Sequence, residues 1–322
     1  MAVYTDVSDA DLAGFLTQYD IGTAVACKGI AEGVENSNFA LKTSAGDFIL
    51  TLYEKRVEPA ELPWFLGLMD HLAAHGITCP RPVAGRDGAT LRRLRDRPAA
   101  ITTFLPGVWP RSVTPMHAEA VGLALARLHR VGTGYAPTRA NALGPQSWLP
   151  LLRRSREHPA VATLDVGLLD ELEAAGHDIL ATWPSGDLPT GHIHADLFPD
   201  NVFFLDGHLS GVIDFYFAAT DLLAYDLAVC VNAWCCAEDG TLDAALSAHL
   251  VRAYAAARPL TPAERASLPV LARGAALRFT LTRLYDWLAT PAGALVTRKD
   301  PMAYVRRLRT HQAIRDAAAY GL

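Results

Sequence analysis

Three side chains that carry oxygen ligands, Asp196, Asn201 and Asp214, occur in that order within a short stretch of the chain. Two apolar, β-prone runs lie between Asn201 and Asp214, and the Asp-Gly-His that separates them is typical of a hairpin turn. If residues 207 and 208 form the turn, Asn201 falls opposite Asp214, with paired residues roughly 5 Å apart. An amide oxygen and a carboxylate are hard ligands that suit Mg²⁺. The pattern therefore predicts a Mg²⁺ site at Asn201 and Asp214.

Asp196 follows His194 and precedes Asn201 in the order His-x-Asp-x-x-x-x-Asn. This order is typical of a kinase catalytic loop, in which the aspartate accepts the proton of the attacking hydroxyl while the asparagine and a later aspartate hold metal. The motif predicts a phosphotransferase that uses ATP and Mg²⁺, with Asp196 as base or hydroxyl orienter. We assign His194 to the catalytic set as a residue that orients the loop. We expect Asp226 to brace this loop or to cap a helix.

A second chemistry is compatible with the same stretch. His192, His194 and Asp196 form His-x-His-x-Asp, which could begin a metallohydrolase site with zinc on the imidazoles. Leu197 follows where one such motif would place another histidine, and the histidines farther along the chain are scattered. The zinc hypothesis stays open as an alternative, with His192 otherwise expected in the core.

The catalytic-loop segment resembles the aminoglycoside-phosphotransferase-like kinases, which share a two-lobed, protein-kinase-like fold. Within that superfamily the chain is most similar to the homoserine kinase family. The similar segments are spread over nearly the whole chain: 3–22, 33–39, 48–54, 62–72, 79–82, 277–286 and 299–311. The catalytic loop is specific to the superfamily only, whereas the segments near both ends carry the narrower resemblance.

The resemblance implies an α+β fold with a small, β-rich N-lobe over residues 1–104 that covers the nucleotide. A larger, mostly helical C-lobe over residues 105–322 would then hold the catalytic loop, the metal site and the acceptor site. The implied activity is ATP-dependent phosphorylation of the side-chain hydroxyl of L-homoserine to O-phospho-L-homoserine, a step of threonine biosynthesis.

Local patterns agree with a β-rich beginning and a helix-rich remainder. Apolar residues at helical spacing over 62–72, followed by Gly76, predict a helix with a glycine stop. Thr114 and Pro115 predict the N-cap and first residue of a later helix. The apolar run 99–105 is where a hinge between the lobes would lie. The adenine edge of ATP is expected to contact the backbone of three hinge residues: Thr103, Phe104 and Leu105.

The expected phosphate site departs from protein kinases, which place a lysine on the third strand. The aligned residue here is Thr51, as in the homoserine kinases, and a threonine brings no charge. Phosphate charge would then be neutralised by Mg²⁺, by backbone N–H groups of the 29–38 loop, or by Lys42 or Lys55. Four small or turn-forming residues are expected near the phosphates, although an ordinary hairpin would use the same types: Gly33, Asn36, Ser37 and Asn38.

The acceptor site has to satisfy the carboxylate, the ammonium and the hydroxyl group of L-homoserine. Arg278 and Arg283 are the proposed carboxylate ligands, because an arginine fork matches a carboxylate. Asn232 and Asp286 complete the predicted substrate set, and surface ion pairs on a helix would use the same types of residue. An acidic acceptor cleft would instead favour a cationic alcohol such as an aminoglycoside or choline.

The composition of the chain argues against several classes of partner and site. The chain has 322 residues, a formal net charge of −5 and 51% hydrophobic residues, and it carries no long basic run, which argues against a nucleic-acid partner. An acidic N-terminus and the lack of a long apolar run predict a cytoplasmic protein without a membrane segment. No Cys-x-x-Cys pair occurs, so no zinc knuckle or redox motif is expected. A catalytically silent nucleotide-binding module stays a further alternative, and composition does not determine the oligomeric state.

Overall fold

The computed structural model of the protein describes residues 4–30, 36–54, 58–184, 186, 188–290 and 298–322. The contacts divide the chain into two compact units. Unit 1 comprises Met1–Val108, Phe203–Leu205 and Ser210–Tyr216, and unit 2 comprises Trp109–Val202, Asp206–Leu209 and Phe217–Leu322. Two short segments of unit 1 thus come from the part of the sequence assigned to the C-lobe. The predicted order of a β-rich beginning and a helix-rich remainder is confirmed.

Unit 1 contains a five-stranded antiparallel sheet with the strand order β1-β2-β3-β5-β4. Its strands are β1 (Ala24–Gly29), β2 (Ser37–Thr43), β3 (Gly46–Leu52), β4 (Arg92–Leu94) and β5 (Arg97–Thr103). Buried and less buried residues alternate along β2, as expected where one face of a sheet covers a core. Gly46, the first residue of β3, pairs with Thr43 directly after the tight turn from β2 and takes a positive φ.

The described residues of unit 1 include two helices, α1 (Asp9–Leu16) and α2 (Leu62–Ala74). The first begins with a capping box between Ser8 and Asp11, and its apolar side joins the core of the sheet. The second confirms the predicted helix, because its helically spaced apolar residues are buried and Gly76 follows it with a positive φ.

Unit 2 is mostly helical. Its helices are α3 (Pro115–Gly132), α4 (Pro145–Arg156), α5 (Leu168–Ala181), α6 (Leu223–Trp234), α7 (Ala244–Ala257), α8 (Pro262–Ala289) and α9 (Met302–Ala313). The long α8 packs against α4, α5, α6 and α9, and α3 packs against α7. The predicted cap of α3 is confirmed, since the Thr114 side chain accepts a hydrogen bond from the backbone N–H of His117 and Pro115 opens the helix. None of the helices in the described ranges is long and apolar enough to cross a membrane.

Short strands flank the segment that carries the predicted catalytic residues. Strand β6 (Thr190–Ile193) pairs antiparallel with β9 (Ala219–Leu222), and β7 (Val202–Leu205) pairs with β8 (His208–Val212). The predicted hairpin is therefore confirmed. Its turn, however, is one residue earlier than predicted, because Asp206 and Gly207 are the two loop residues and both have positive φ.

Candidate active site

Asp196 and Asn201 lie side by side in unit 2, in the loop and 3₁₀ turn that follow β6. The amide nitrogen of Asn201 donates to the backbone carbonyl of Asp196 at 2.8 Å and to its Oδ2 at 3.3 Å. The Asp196 side chain is 19% exposed, so it is mostly buried but open on one side. The spacing of the two residues in the sequence thus produces a direct contact between them.

The backbone of the catalytic loop is hydrogen-bonded to the side chain of Asp226, which lies on α6. The carboxylate accepts the backbone N–H of His194 at 2.7 Å and that of Ala195 at 2.8 Å. Ala195 has a φ of +61°, a left-handed conformation that is unfavourable for a residue other than glycine. Asp226 therefore braces the loop, as expected from the sequence, and stabilises a strained residue directly before Asp196.

His194 also contacts Asp196. Its side chain is fully buried, and Nδ1 accepts the backbone N–H of Asp196 at 3.3 Å. The ring thus contacts the loop directly, and the orienting role expected of it stays a prediction.

Sequence reasoning missed His129, which extends the brace. Its Nε2 lies 3.1 Å from Oδ2 of Asp226, and its Nδ1 lies 2.8 Å from the hydroxyl of Tyr254. Burial by itself would raise the pKa of Asp226, but the hydrogen bond and charge of His129, together with His194, hold that pKa below its ordinary value. The signal that could have revealed His129 was a lone histidine on the apolar side of α3.

The structure places Arg278 of α8 beside Asp196. Arg278 Nη1 lies 3.6 Å from Asp196 Oδ1, and the arginine side chain is only 4% exposed. The guanidinium carbon lies 3.8 Å from the ring centre of Phe279 and 5.2 Å from that of Phe217. Nη1 makes no hydrogen bond to any residue in the described ranges. A buried cation with a donor next to the predicted base is thus built into the site.

The charges around Asp196 are predominantly positive. Burial raises the pKa of Asp196, while Arg278, His194 and Lys299 oppose that rise and Asp200 adds to it. Lys299 Nζ lies 3.6 Å from Oδ2 of Asp200. The pKa of Asp196 ends above its ordinary value, so burial outweighs the cations.

The other predicted acceptor residues have different surroundings. Arg283 lies with its guanidinium 4.4 Å from the ring centre of Tyr304, and burial lowers its pKa. Asn232 is fully buried and donates to the carbonyls of Ala228 and Ala272, so it ties α6 to α8. Asp286 is partly buried farther along α8. Of the predicted acceptor set, Arg278 is therefore the residue with an ion-pair contact to Asp196 in the described part of the chain, and the roles of the other three stay predictions.

The predicted phosphate-side residues lie in unit 1. Asn38 and Thr51 are paired neighbours on β2 and β3, and the Thr51 hydroxyl donates to Oδ1 of Asn38 at 2.8 Å. Ser37 is fully buried, and its hydroxyl accepts the backbone N–H of Tyr4 and donates to Glu54.

Two of the remaining residues expected near the phosphates, Asn36 and Lys42, have different surroundings. Oδ1 of Asn36 accepts the backbone N–H of Glu54 at 3.3 Å. Lys42 is exposed. Gly33 and Lys55 lie outside the described residues.

The predicted hinge residues lie at the end of β5, with Thr103 as its last residue and Phe104 and Leu105 directly after it. The backbone N–H groups of Thr103 and Phe104 donate to the carbonyls of Arg81, at 3.0 Å, and Asp47, at 3.4 Å. A Cβ on Gly211 would lie 2.9 Å from Leu105, so this glycine allows Leu105 to pack closely against β8. Adenine recognition at the hinge would consequently rely on carbonyl groups or on the N–H of Leu105, and it stays a prediction.

The hairpin register no longer supports the predicted Mg²⁺ site at Asn201 and Asp214. With Asp206 and Gly207 as the loop, Leu205 is opposite His208, and continuing the ladder places Asn201 opposite Val212 rather than Asp214. Asp214 itself lies beyond β8 with a left-handed φ of +64°. The register argument for a shared ion was therefore wrong, and the assignment of Asn201 and Asp214 now depends on the kinase order of residues.

The zinc alternative gains no support. Nε2 of His192 lies 2.7 Å from the carbonyl of Tyr135 and its Nδ1 lies 3.3 Å from the hydroxyl of Thr220, so both ring nitrogens have partners within the protein. Among the described residues, no three histidine, cysteine or acidic side chains are grouped as a metal would require.

The chain is similar to known proteins in both sequence and structure. A family model described as the phosphotransferase enzyme family matches residues 26–260. The chain is 64% identical to a homoserine kinase from Gluconacetobacter diazotrophicus over 100% of both chains. It is 59% identical to a homoserine kinase from Rhodospirillum rubrum over 100% of this chain and 99% of that one.

Solved structures with the same fold have much lower identity. An amicoumacin kinase in complex with AMP-PNP, Ca²⁺ and its ligand aligns with a TM-score of 0.70 at 14% identity, covering 95% of this chain and 94% of that one. A choline kinase from Cryptosporidium parvum aligns with a TM-score of 0.66 at 13% identity, with coverage of 95% and 94%. The predicted two-lobed, kinase-like fold is confirmed, and the chain belongs to the phosphotransferase enzyme family and, within it, to the homoserine kinases.

Proposed function

We propose that the protein catalyses the ATP-dependent phosphorylation of the side-chain hydroxyl of L-homoserine to O-phospho-L-homoserine, a step of threonine biosynthesis. The observation that carries the proposal is the contact between Asp196 and Arg278, at 3.6 Å, in a chain that is 64% identical over its full length to a homoserine kinase. The carboxylate of Asp196 can accept a proton, and the guanidinium of Arg278 can bind an anion.

Asp196 would act as base or hydroxyl orienter. As the oxygen of homoserine forms a bond to the γ-phosphorus of ATP, the bond to the β-bridging oxygen breaks, ADP leaves, and the hydroxyl proton passes to the Asp196 carboxylate. Burial raises the pKa of this carboxyl group, which makes it a stronger proton acceptor than an exposed aspartate. Its contacts with Asn201 and the brace from Asp226 hold it in one position before substrate binds.

Arg278 would bind the carboxylate of the substrate. Its guanidinium lies near the rings of Phe279 and Phe217, and its Nη1 makes no hydrogen bond within the described part of the chain. It is also next to the carboxylate that would receive the hydroxyl proton. Homoserine has a carboxylate and a hydroxyl separated by a short chain, so one small molecule could engage both residues. A charge-assisted hydrogen bond of this kind contributes roughly 1.5–3 kcal/mol.

Asn201 and Asp214 would hold Mg²⁺. The donor set fits the ion: Asn201 uses its amide nitrogen for Asp196, which leaves the amide oxygen, the atom that binds metals, outside those hydrogen bonds. Asp214 supplies a carboxylate. When bound, Mg²⁺ neutralises charge on the β- and γ-phosphates of ATP. This role matters more here than in protein kinases, because Thr51 replaces the lysine of the third strand.

The alternative acceptors are less compatible with the charges around the base. Arg278, Arg283 and Lys299 face Asp196 and Asp200, so cations outnumber anions in this part of the described chain. A polycationic aminoglycoside or a choline would meet repulsion there. A catalytically silent module would not need a braced Asp196, whose surroundings include a strained Ala195. The substrates, ATP and a free amino acid, are compatible with the cytoplasm as the proposed location.

The test is a coupled assay of ADP release with L-homoserine, L-serine, choline and an aminoglycoside as acceptors, with the phosphorylated product identified by mass spectrometry. We expect kcat/KM for L-homoserine to exceed that for choline and for the aminoglycoside by at least about tenfold, since the carboxylate contact, which neither of these can make, is worth that much. L-Serine keeps the carboxylate but places its hydroxyl one carbon nearer to it, so we expect it to be a poorer acceptor because its hydroxyl is misplaced relative to Asp196. The Asp196→Asn variant serves as the control for contaminating kinases. A higher kcat/KM for choline or the aminoglycoside would contradict the proposal, and nucleotide binding without phosphate transfer to any acceptor would favour the silent module.

A further inference from the structure

The residue two positions after Asp214, Tyr216, is anchored to the sheet of unit 1 by its hydroxyl. The hydroxyl oxygen lies 3.0 Å from that of Tyr53, which directly follows β3. The side chain of Thr51, on β3 itself, also interacts with the Tyr216 hydroxyl. Since Thr51 donates to Asn38, a continuous line of polar groups runs from β2 to the segment after Asp214.

The aromatic ring of Tyr216 is fixed as well. It makes edge contacts with Tyr53, at a ring-centre distance of 5.5 Å, and with Phe65 of α2, at 5.9 Å. Its neighbour Phe215 is buried. Tyr216 therefore has one orientation, set by packing and by hydrogen bonds together.

Asp214 needs such support because its backbone is strained. Its φ of +64° is unfavourable for a residue with a Cβ, and such conformations persist only where the surroundings impose them. On the N-terminal side, the backbone N–H of Val212 donates to the carbonyl of Thr78 at 2.9 Å. On the C-terminal side, the corresponding anchor is Tyr216. Asp214 is thus held between two fixed points of the same unit.

We propose that Tyr216 is a positioning residue for Asp214, and that the Tyr216, Tyr53 and Thr51 hydroxyls form this anchor where protein kinases place the strand lysine. The threonine that replaces the lysine contributes a hydrogen bond to the metal-binding segment in place of a charge on the phosphates. This inference rests on the proposed function in one respect, the assignment of Asp214 as a Mg²⁺ ligand.

The test measures ADP binding by isothermal titration calorimetry at saturating Mg²⁺ and in EDTA, without any acceptor. In Tyr216→Phe, which keeps the ring and removes the hydroxyl, we expect the affinity for Mg·ADP to fall about three- to tenfold, the range for one neutral hydrogen bond. Metal-free ADP should bind as tightly as to the wild type. Tyr53→Phe should produce a loss in the same direction, and the double variant should be no worse than Tyr216→Phe alone, because Tyr216→Phe already removes the bond that Tyr53 makes.

Two further variants keep the test decisive. Thr51→Val removes another hydroxyl of the same anchor and should weaken Mg·ADP binding in the same direction, which covers the case in which Tyr216→Phe does not fold. Tyr19→Phe changes a buried tyrosine of unit 1 that packs on Phe15 and lies outside this network, so it should leave Mg·ADP binding unchanged.

The outcomes separate this proposal from the proposed function. If Tyr216→Phe and Thr51→Val bind Mg·ADP as the wild type does, or lose affinity equally in EDTA, Tyr216 does not position Asp214. If Mg²⁺ makes no difference to ADP binding by the wild type, the inference is likewise overturned. If the expected pattern is observed but L-homoserine is not phosphorylated, the proposed substrate is wrong and the role of Tyr216 is supported.

Discussion

Arg278 Nη1 lies 3.6 Å from Asp196 Oδ1, and both side chains are largely buried. This distance is too long for a hydrogen bond but short enough for a strong electrostatic effect. The arginine therefore acts on the predicted base directly and still has a donor for a bound anion. If Arg278 binds the substrate and Asp196 is the base, as proposed, this single contact connects substrate binding to proton transfer, and each role can be tested by substitution.

Removal of the base is the first test. Because Asn is similar in shape but cannot accept the proton, Asp196→Asn should lower kcat by roughly 10²–10⁴-fold while the affinity for nucleotide stays nearly the same. Steady-state kinetics and calorimetric nucleotide titration measure the two effects. The matched control is Asp200→Asn, which makes the same chemical change at a side chain that is 52% exposed. Turnover of Asp196→Asn within a few-fold of the wild type would show that Asp196 is not the base.

Metal dependence is the second test. If Asp214 is a Mg²⁺ ligand, Asp214→Ala should require much more Mg²⁺ and lose activity at physiological concentrations of the ion. Activity measured across a Mg²⁺ titration gives the apparent activation constant. Zn²⁺ should not replace Mg²⁺ in the wild type. Full activity after chelation and addition of zinc alone would revive the His-x-His-x-Asp hypothesis.

The third test concerns Arg278. Arg278→Ala should raise the KM for L-homoserine roughly ten- to hundredfold with little effect on the KM for ATP, and Arg278→Lys should restore part of the loss. The methyl ester of homoserine lacks the carboxylate charge, so the wild type should discriminate against it and Arg278→Ala should barely distinguish the two. Equal discrimination by both proteins would place the carboxylate site elsewhere, with Arg283 as the next candidate.

Removal of the Arg278 charge should also change the pH dependence of catalysis. Arg278 opposes the burial that raises the pKa of Asp196, so its removal should raise that pKa further. Because the base works as the carboxylate, the acid limb of the kcat/KM profile should move to higher pH. A profile of kcat/KM against pH for wild type and Arg278→Met, which keeps the side-chain length, measures the shift. An unchanged acid limb would mean that another group controls it.

His311 provides a test of stability against pH. Burial, with Arg307 and Arg273, lowers its pKa to about 4, so the folded state favours the neutral ring. Stability from this group is complete above the unfolded-state pKa and is lost as pH falls toward 4, by up to about 3 kcal/mol. Urea denaturation at several pH values should show this loss in the wild type and a smaller one in His311→Asn. His249→Asn, an exposed histidine on α7, is the control and should behave as the wild type.

The sequence by itself determined the chemical types and the local elements. The spacing of Asp196 and Asn201 spans one loop and one 3₁₀ turn, so local geometry brings them into contact. The helix over 62–72 and the cap at Thr114 follow from side-chain periodicity and capping, which act within one or two turns. The hairpin was also predictable, but its turn was placed one residue late, and a shift of one residue changes every pairing along a ladder.

Only the tertiary structure decided which distant residues meet the catalytic loop. Arg278 is on α8 and Asp226 on α6, and their approach to residues 194–196 follows from helix packing that no local pattern encodes. His129, a further member of the brace, is a single histidine on an apolar helix face, where the sequence alone does not distinguish core from function. The anchor of Tyr216 on Tyr53 likewise joins residues far apart in the chain. Such contacts depend on the burial of apolar surfaces around them, which fixes side chains from several elements in one place.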